Sequence, residues 1–112
     1  GGYFKGTDPN VAIKILQEKW VYNTPVLYIG KAGGEGKEAT LRSRILQYLK
    51  FGQGKPVGHK GGCYIWQLSD AEELLFCWKP LPTDEPEDVE SMLISEFKHQ
   101  YAGKRPFANL NK

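Results

Sequence analysis

Three stretches of glycine and proline decide how this 112-residue chain is divided. Residues 30–36 hold four glycines, residues 52–62 hold five glycines and a proline, and Pro80, Pro82 and Pro86 follow. Glycine gives the backbone too much freedom for a regular element, and proline removes a donor, so each stretch reads as loop. Only short elements fit between them, the longest being about four turns of helix.

Gly2-Tyr3-Phe4-Lys5 is a candidate strand, and Asp8 with Pro9 opens a helix to about Lys19 that turns Val11, Ile15 and Leu16 inward. Val26-Leu27-Tyr28-Ile29 reads as a buried strand before the first glycine loop. Thr40 caps a second helix to about Phe51, with Leu41, Ile45, Tyr48 and Leu49 inside. Residues 63–68 and 74–78 are apolar and aromatic, which predicts a β-hairpin around Ser69-Asp70-Ala71-Glu72. A long helix from about Glu87 to Tyr101 and an ordered tail at Arg105-Pro106-Phe107-Ala108-Asn109 complete the chain. The order of elements predicts one α/β domain over residues 1–112, a small, mixed and mainly antiparallel sheet flanked by helices.

Charge is segregated although the net value is only +2. Residues 31–60 carry Lys31, Lys37, Arg42, Arg44, Lys50, Lys55 and Lys60 against Glu35 and Glu38, whereas residues 70–90 carry eight acids against Lys79 alone. The basic run suits a phosphate backbone, and Lys50, Lys55, Lys60, His59 and Arg42 are its candidate nucleic-acid contacts. For His59, set among glycines, a local hydrogen-bond role is the simpler expectation. No apolar run approaches the ~20 residues of a membrane-spanning helix, so the expected setting is the cytoplasm, with no membrane partner. A start at Gly1-Gly2 without methionine is expected of a domain cut from a longer chain. Cys63 and Cys77 read as two buried thiols, and with His59 and His99 they lack zinc-finger spacing. Trp20, Trp66 and Trp78 read as core rather than as stacking platforms.

The loop ending at Gly36-Lys37 is not a phosphate loop, because Lys31 stands where its first glycine belongs and Glu38 where its Ser or Thr belongs. The last helix is more informative. At about 100° per residue, Glu90 falls between Phe97 and Tyr101, inside the apolar arc. A carboxylate there needs a cation, a donor network or a metal.

The pieces Tyr28-Ile29-Gly30-Lys31-Ala32, Leu41-Arg42-Ser43-Arg44-Ile45-Leu46-Gln47-Tyr48, Glu90-Ser91-Met92-Leu93-Ile94 and Pro106-Phe107-Ala108-Asn109 occur in this order. Together they resemble the motifs of the GIY-YIG nuclease superfamily, and are most similar to the N-terminal nuclease domain of bacterial excision-repair incision subunits. The resemblance implies a GIY-YIG-like sandwich and a metal-dependent endonuclease acting on phosphodiesters, with DNA the expected substrate and Mg2+ or Mn2+ the cofactor. It implies Glu90 as metal ligand, Arg44 on the scissile phosphate, and Tyr28 as a phenol that positions or deprotonates the attacking water. Lys31 and Tyr48 would complete the site, Arg44 and Tyr48 pointing at one phosphate from one helix face, with Asn109 in support. The first-motif tyrosine would be Tyr3, with Tyr22 as its rival. A scaffold that binds nucleic acid without cutting, and a protein-interaction domain using the acidic strip 84–90, are the alternatives.

Overall fold

The computed structural model describes residues 10–55 and 58–111. Among these residues four α-helices run in the order α1 (Ile13–Lys19), α2 (Leu41–Gly52), α3 (Lys60–Ile65) and α4 (Pro86–Gln100), with a 3-10 turn at Ala71–Glu73 before α4. Among the described residues there is no β-strand, so the expected α/β sandwich with its mixed sheet is overturned. The candidate strand at residues 2–5, Tyr3, Asp8 and Pro9 lie outside the described residues.

Each predicted strand has its own reason for not being one. Residues 63–68 become the end of α3 and the turn after it. The His59 imidazole caps α3 by accepting the Gly62 N–H at 3.0 Å, and Gln67 Nε2 donates back to the Cys63 carbonyl at 2.7 Å. Local preference for a strand loses here to tertiary packing. A Cβ on Gly62 would lie 3.1 Å from the Phe51 ring and 3.2 Å from that of Trp66, so glycine here gives α3 a close fit against α2.

Residues 74–78 are not a ladder partner of α3. Leu75 is 92 % exposed and Trp78 65 %, which also overturns the core reading of Trp78. Cys77 is exposed, against expectation, while Cys63 is buried.

Residues 26–29 are largely half-buried and not in a sheet. Their backbone pairs with the tail instead: the Ala108 N–H donates to the Leu27 carbonyl at 2.8 Å. Asn109 then plays the part of a neighbouring strand, its Oδ1 accepting the Ile29 N–H at 3.0 Å and its Nδ2 donating to the Ile29 carbonyl at 2.9 Å.

The helices are closer to expectation. Thr40 and Ser43 form a reciprocal capping box that starts α2 where the sequence places it, and α4 differs from its predicted span by a residue at each end. The buried stripe of α2 is Tyr48 and Phe51, whereas Leu41 and Leu49 are exposed. This turns the inner face toward Arg44, because residues spaced by four and three stack along one side of a helix. α1 begins at Ile13, and Leu16 is its contribution to the core.

The core gathers Tyr48, Ile65, Ala71, Phe107 and Ala108, with Leu16, Trp20, Leu27, Tyr28 and Trp66 packed around it. Phe107 meets Trp20 edge-on at 5.1 Å and Tyr64 at 5.7 Å, so the tail is a structural plug. Burying a ring of this size contributes roughly 1.5–3 kcal/mol.

Candidate functional site

A cleft of about 340 Å³ opens where four parts of the chain meet. Tyr28 comes from the segment before the glycine loop, Arg44 from α2, Gly58, His59, Lys60 and Gly61 from the start of α3, and Glu90 from α4. Asn109 and the residues after it close the rim. Of the sequence-predicted site residues, Tyr28, Arg44, Glu90, His59, Lys60 and Asn109 are brought together.

Others are not. Tyr48 is buried and does not line the cleft; its ring stands behind His59 at 5.4 Å and against Trp66 at 5.0 Å. The expectation that Arg44 and Tyr48 point at one phosphate is therefore corrected: Tyr48 supports His59 from the core. Lys31 and the exposed Arg42, Lys50 and Lys55 also lie outside the cleft lining.

Glu90 sits where the helical spacing puts it. Ile94 and Phe97 are the buried residues of α4, while Met92 and Leu93 are exposed, so the inward face is narrower than the apolar sequence suggests and Glu90 lies on it.

Arg44 links the cleft together. Its Nη1 donates to Gln47 Oε1 at 2.8 Å, one turn along α2, which fixes the guanidinium. Gln47 escaped the sequence reading, although its spacing of three from Arg44 was a usable signal. The guanidinium also hydrogen bonds the Tyr28 phenol.

Burial pushes the phenol pKa above its ordinary 10, the nearby Arg44 charge pulls it down, and Glu90 pushes it up again. The net direction is upward, so at neutral pH Tyr28 keeps its proton. His59 is shifted the other way, to about 4, by burial first and then by the Arg44 charge. With Nδ1 taken by the Gly62 N–H, the neutral ring carries its proton on Nε2.

The charged groups of the cleft are thus Arg44 and Lys60 against Glu90, a balance that favours an anion. Glu90 is the one carboxylate among the cleft-lining residues, and no group of three or more His, Cys, Asp and Glu side chains gathers among the described residues. Such a donor set does not enclose a metal by itself. It fits a hard cation of the magnesium kind, which keeps most of its waters and binds through one or two carboxylates together with substrate phosphate oxygens.

Comparison of the chain with protein-family models, with curated proteins and with solved structures returns no match. The reading of the cleft therefore rests on its own residues.

Proposed function

We propose that this protein is a phosphodiester-cleaving endonuclease that takes one backbone phosphate of a nucleic acid, DNA in the first instance, into this cleft. The observation that carries the reading is the convergence of Tyr28, Arg44 and Glu90, drawn from three distant parts of the chain, around one open, net-cationic cavity. These are the residues for which the GIY-YIG motifs imply a role. The likeness now stands on the motif residues and their meeting point, and no longer on a sheet.

In this reading Arg44 pairs with the phosphate and stabilises the charge that grows on it during attack. Tyr28 donates its phenolic hydrogen bond to the attacking water or to a phosphate oxygen, a role that its raised pKa favours over that of a base. His59, neutral and protonated on Nε2, is a second donor, and Lys60 adds charge at the rim. A divalent cation held by Glu90 and by the substrate would supply Lewis-acid polarisation of the phosphate.

Glu90→Gln tests the assignment. The variant is expected to lose nicking of supercoiled plasmid in Mg2+ or Mn2+ by several orders of magnitude, while DNA binding persists and the melting temperature stays level, since glutamine keeps the shape of the side chain and a hydrogen-bonding oxygen but not the charge. Residual cleavage together with a melting temperature lowered by several degrees would make Glu90 a structural partner of a cation and end the assignment. Wild-type protein that binds DNA and never nicks it would favour the non-cleaving module instead. The acidic strip has other occupations: Glu85 accepts the Glu35 N–H, and Glu87 and Asp88 lie in the first turn of α4, where the helix dipole favours acids.

A further inference from the structure

We infer that Gly61 is a positioning residue for the Tyr28 phenol, forming with Gly30 the two walls of a slot that no residue bearing a side chain could line. The inference rests on the proposed role of Tyr28, and it adds to the site a residue that neither the motifs nor the charge pattern indicates.

The geometry comes from both edges of the ring. A Cβ on Gly30 would lie 2.5 Å from Tyr28 Cε1, 2.7 Å from Oη and 2.8 Å from Cζ. A Cβ on Gly61 would lie 2.6 Å from Cε2 and from Cζ and 3.0 Å from Cδ2. Carbon atoms in contact sit at about 3.5–4.0 Å, so either methyl group would overlap the ring by about 1 Å. Backbone conformation does not explain these glycines. Gly33, Gly34 and Gly36 have φ of 76°, 119° and 72° and need glycine for the turn itself, whereas Gly30 and Gly61 are outside the left-handed region. At both, the three atoms nearest to an added Cβ belong to the Tyr28 ring.

Gly61 also lies in α3, where alanine is by propensity the better residue. Its glycine therefore works against the helix and in favour of the ring. The ring is the movable partner in this contact, because relief by rotation about the Tyr28 side chain is easier than moving α3 away from α2. An alanine at position 61 would accordingly drive the phenol out of the slot and away from the Arg44 guanidinium, leaving the chain folded.

The test is Gly61→Ala in two backgrounds, with the Tyr28 phenol followed by NMR on protein carrying 13Cζ-tyrosine, its signal assigned from Tyr28→Phe. The Tyr28 signal is expected to move in Gly61→Ala, and its titration to fall back toward that of a solvated phenol. Gly61→Ala is expected to lower the melting temperature by several degrees in the native background and to leave it level or raise it in Tyr28→Ala, where the ring is gone. An unmoved Tyr28 signal, or the same thermal loss in both backgrounds, overturns the slot. In the nicking assay Gly61→Ala is expected to lower kcat at least tenfold with KM little changed; full cleavage with a displaced ring overturns the positioning role. The NMR and melting arms need no activity, so a protein that never cuts DNA would still report on the slot, and the two failures are told apart.

Discussion

The imidazole of His59 is held between the rings of Tyr28 and Tyr48 and the Gly62 amide, and it is 7 % exposed. Burial disfavours its charged form, and protonation would also put a second charge beside Arg44, so its pKa falls to about 4. The unfolded chain takes up that proton near pH 6.5, so stability is complete above pH 6.5 and is lost as pH falls toward 4. The loss across that window is expected to be on the order of 3 kcal/mol, at ~1.4 kcal/mol per pH unit. His59→Asn, which keeps a cap acceptor and has nothing to titrate, should flatten the curve. Urea unfolding of both proteins at several pH values checks this, and two parallel curves would show that His59 is not the group responsible. Sequence reading reached the bland half of this residue, a hydrogen-bond partner among glycines. It also listed His59 as a candidate phosphate contact, but not its neighbours in the cleft, because nothing local says that residue 59 meets residues 28 and 44.

At the scale of elements, the tie between the tail and residues 27–29 stands in for the missing sheet. Asn109 satisfies both backbone groups of Ile29 with one planar amide, across a sequence separation of 80 residues. A strand that looks buried in the sequence needs its N–H and C=O groups paired, and a carboxamide meets that need at one residue without a ladder. Asn109→Ala removes both bonds at a buried position and is expected to cost about 2–4 kcal/mol, read from chemical denaturation. Because Tyr28 precedes Ile29, the same substitution should also weaken cleavage; a loss of stability below about 0.5 kcal/mol would mean that solvent replaces the amide readily. Helices α2 and α4 were legible for the opposite reason. Their caps and periodicity are local, and Thr40, Ser43 and Pro86 act within a turn of themselves.

For the molecule as a whole, the basic segment is the candidate contact for a nucleic-acid backbone beyond the cleft. Lys50 lies in the last turn of α2, Lys55 follows that helix, and Lys60 opens α3 at the cleft rim. Replacing all three with alanine should weaken DNA binding on every sequence alike and reduce the slope of log K against log salt by roughly 2–3, about 0.9 for each phosphate that is no longer neutralised. Titrations at four salt concentrations measure this, and an unchanged slope would remove the segment from the interface.

The sequence by itself determined what depends on neighbours along the chain: the glycine and proline breaks, the starts of α2 and α4, and the inward position of Glu90 between Phe97 and Tyr101. Through the order of the motifs it also singled out Tyr28, Arg44, Glu90 and Asn109, which line the cleft, along with Lys31 and Tyr48, which do not. Tertiary structure decided the rest. Residues 63–68, apolar enough for a strand, became the end of a helix because His59 capped it and Gly62 let it press on Phe51. Tyr48, one helical turn from Arg44, went to the core rather than the cleft because α2 is buried through Tyr48 and Phe51. Gly61 acquired its purpose only from a ring 33 positions away in the chain. Such contacts join residues whose separation in sequence carries no period and no propensity, so their energies enter only once the chain has closed on itself.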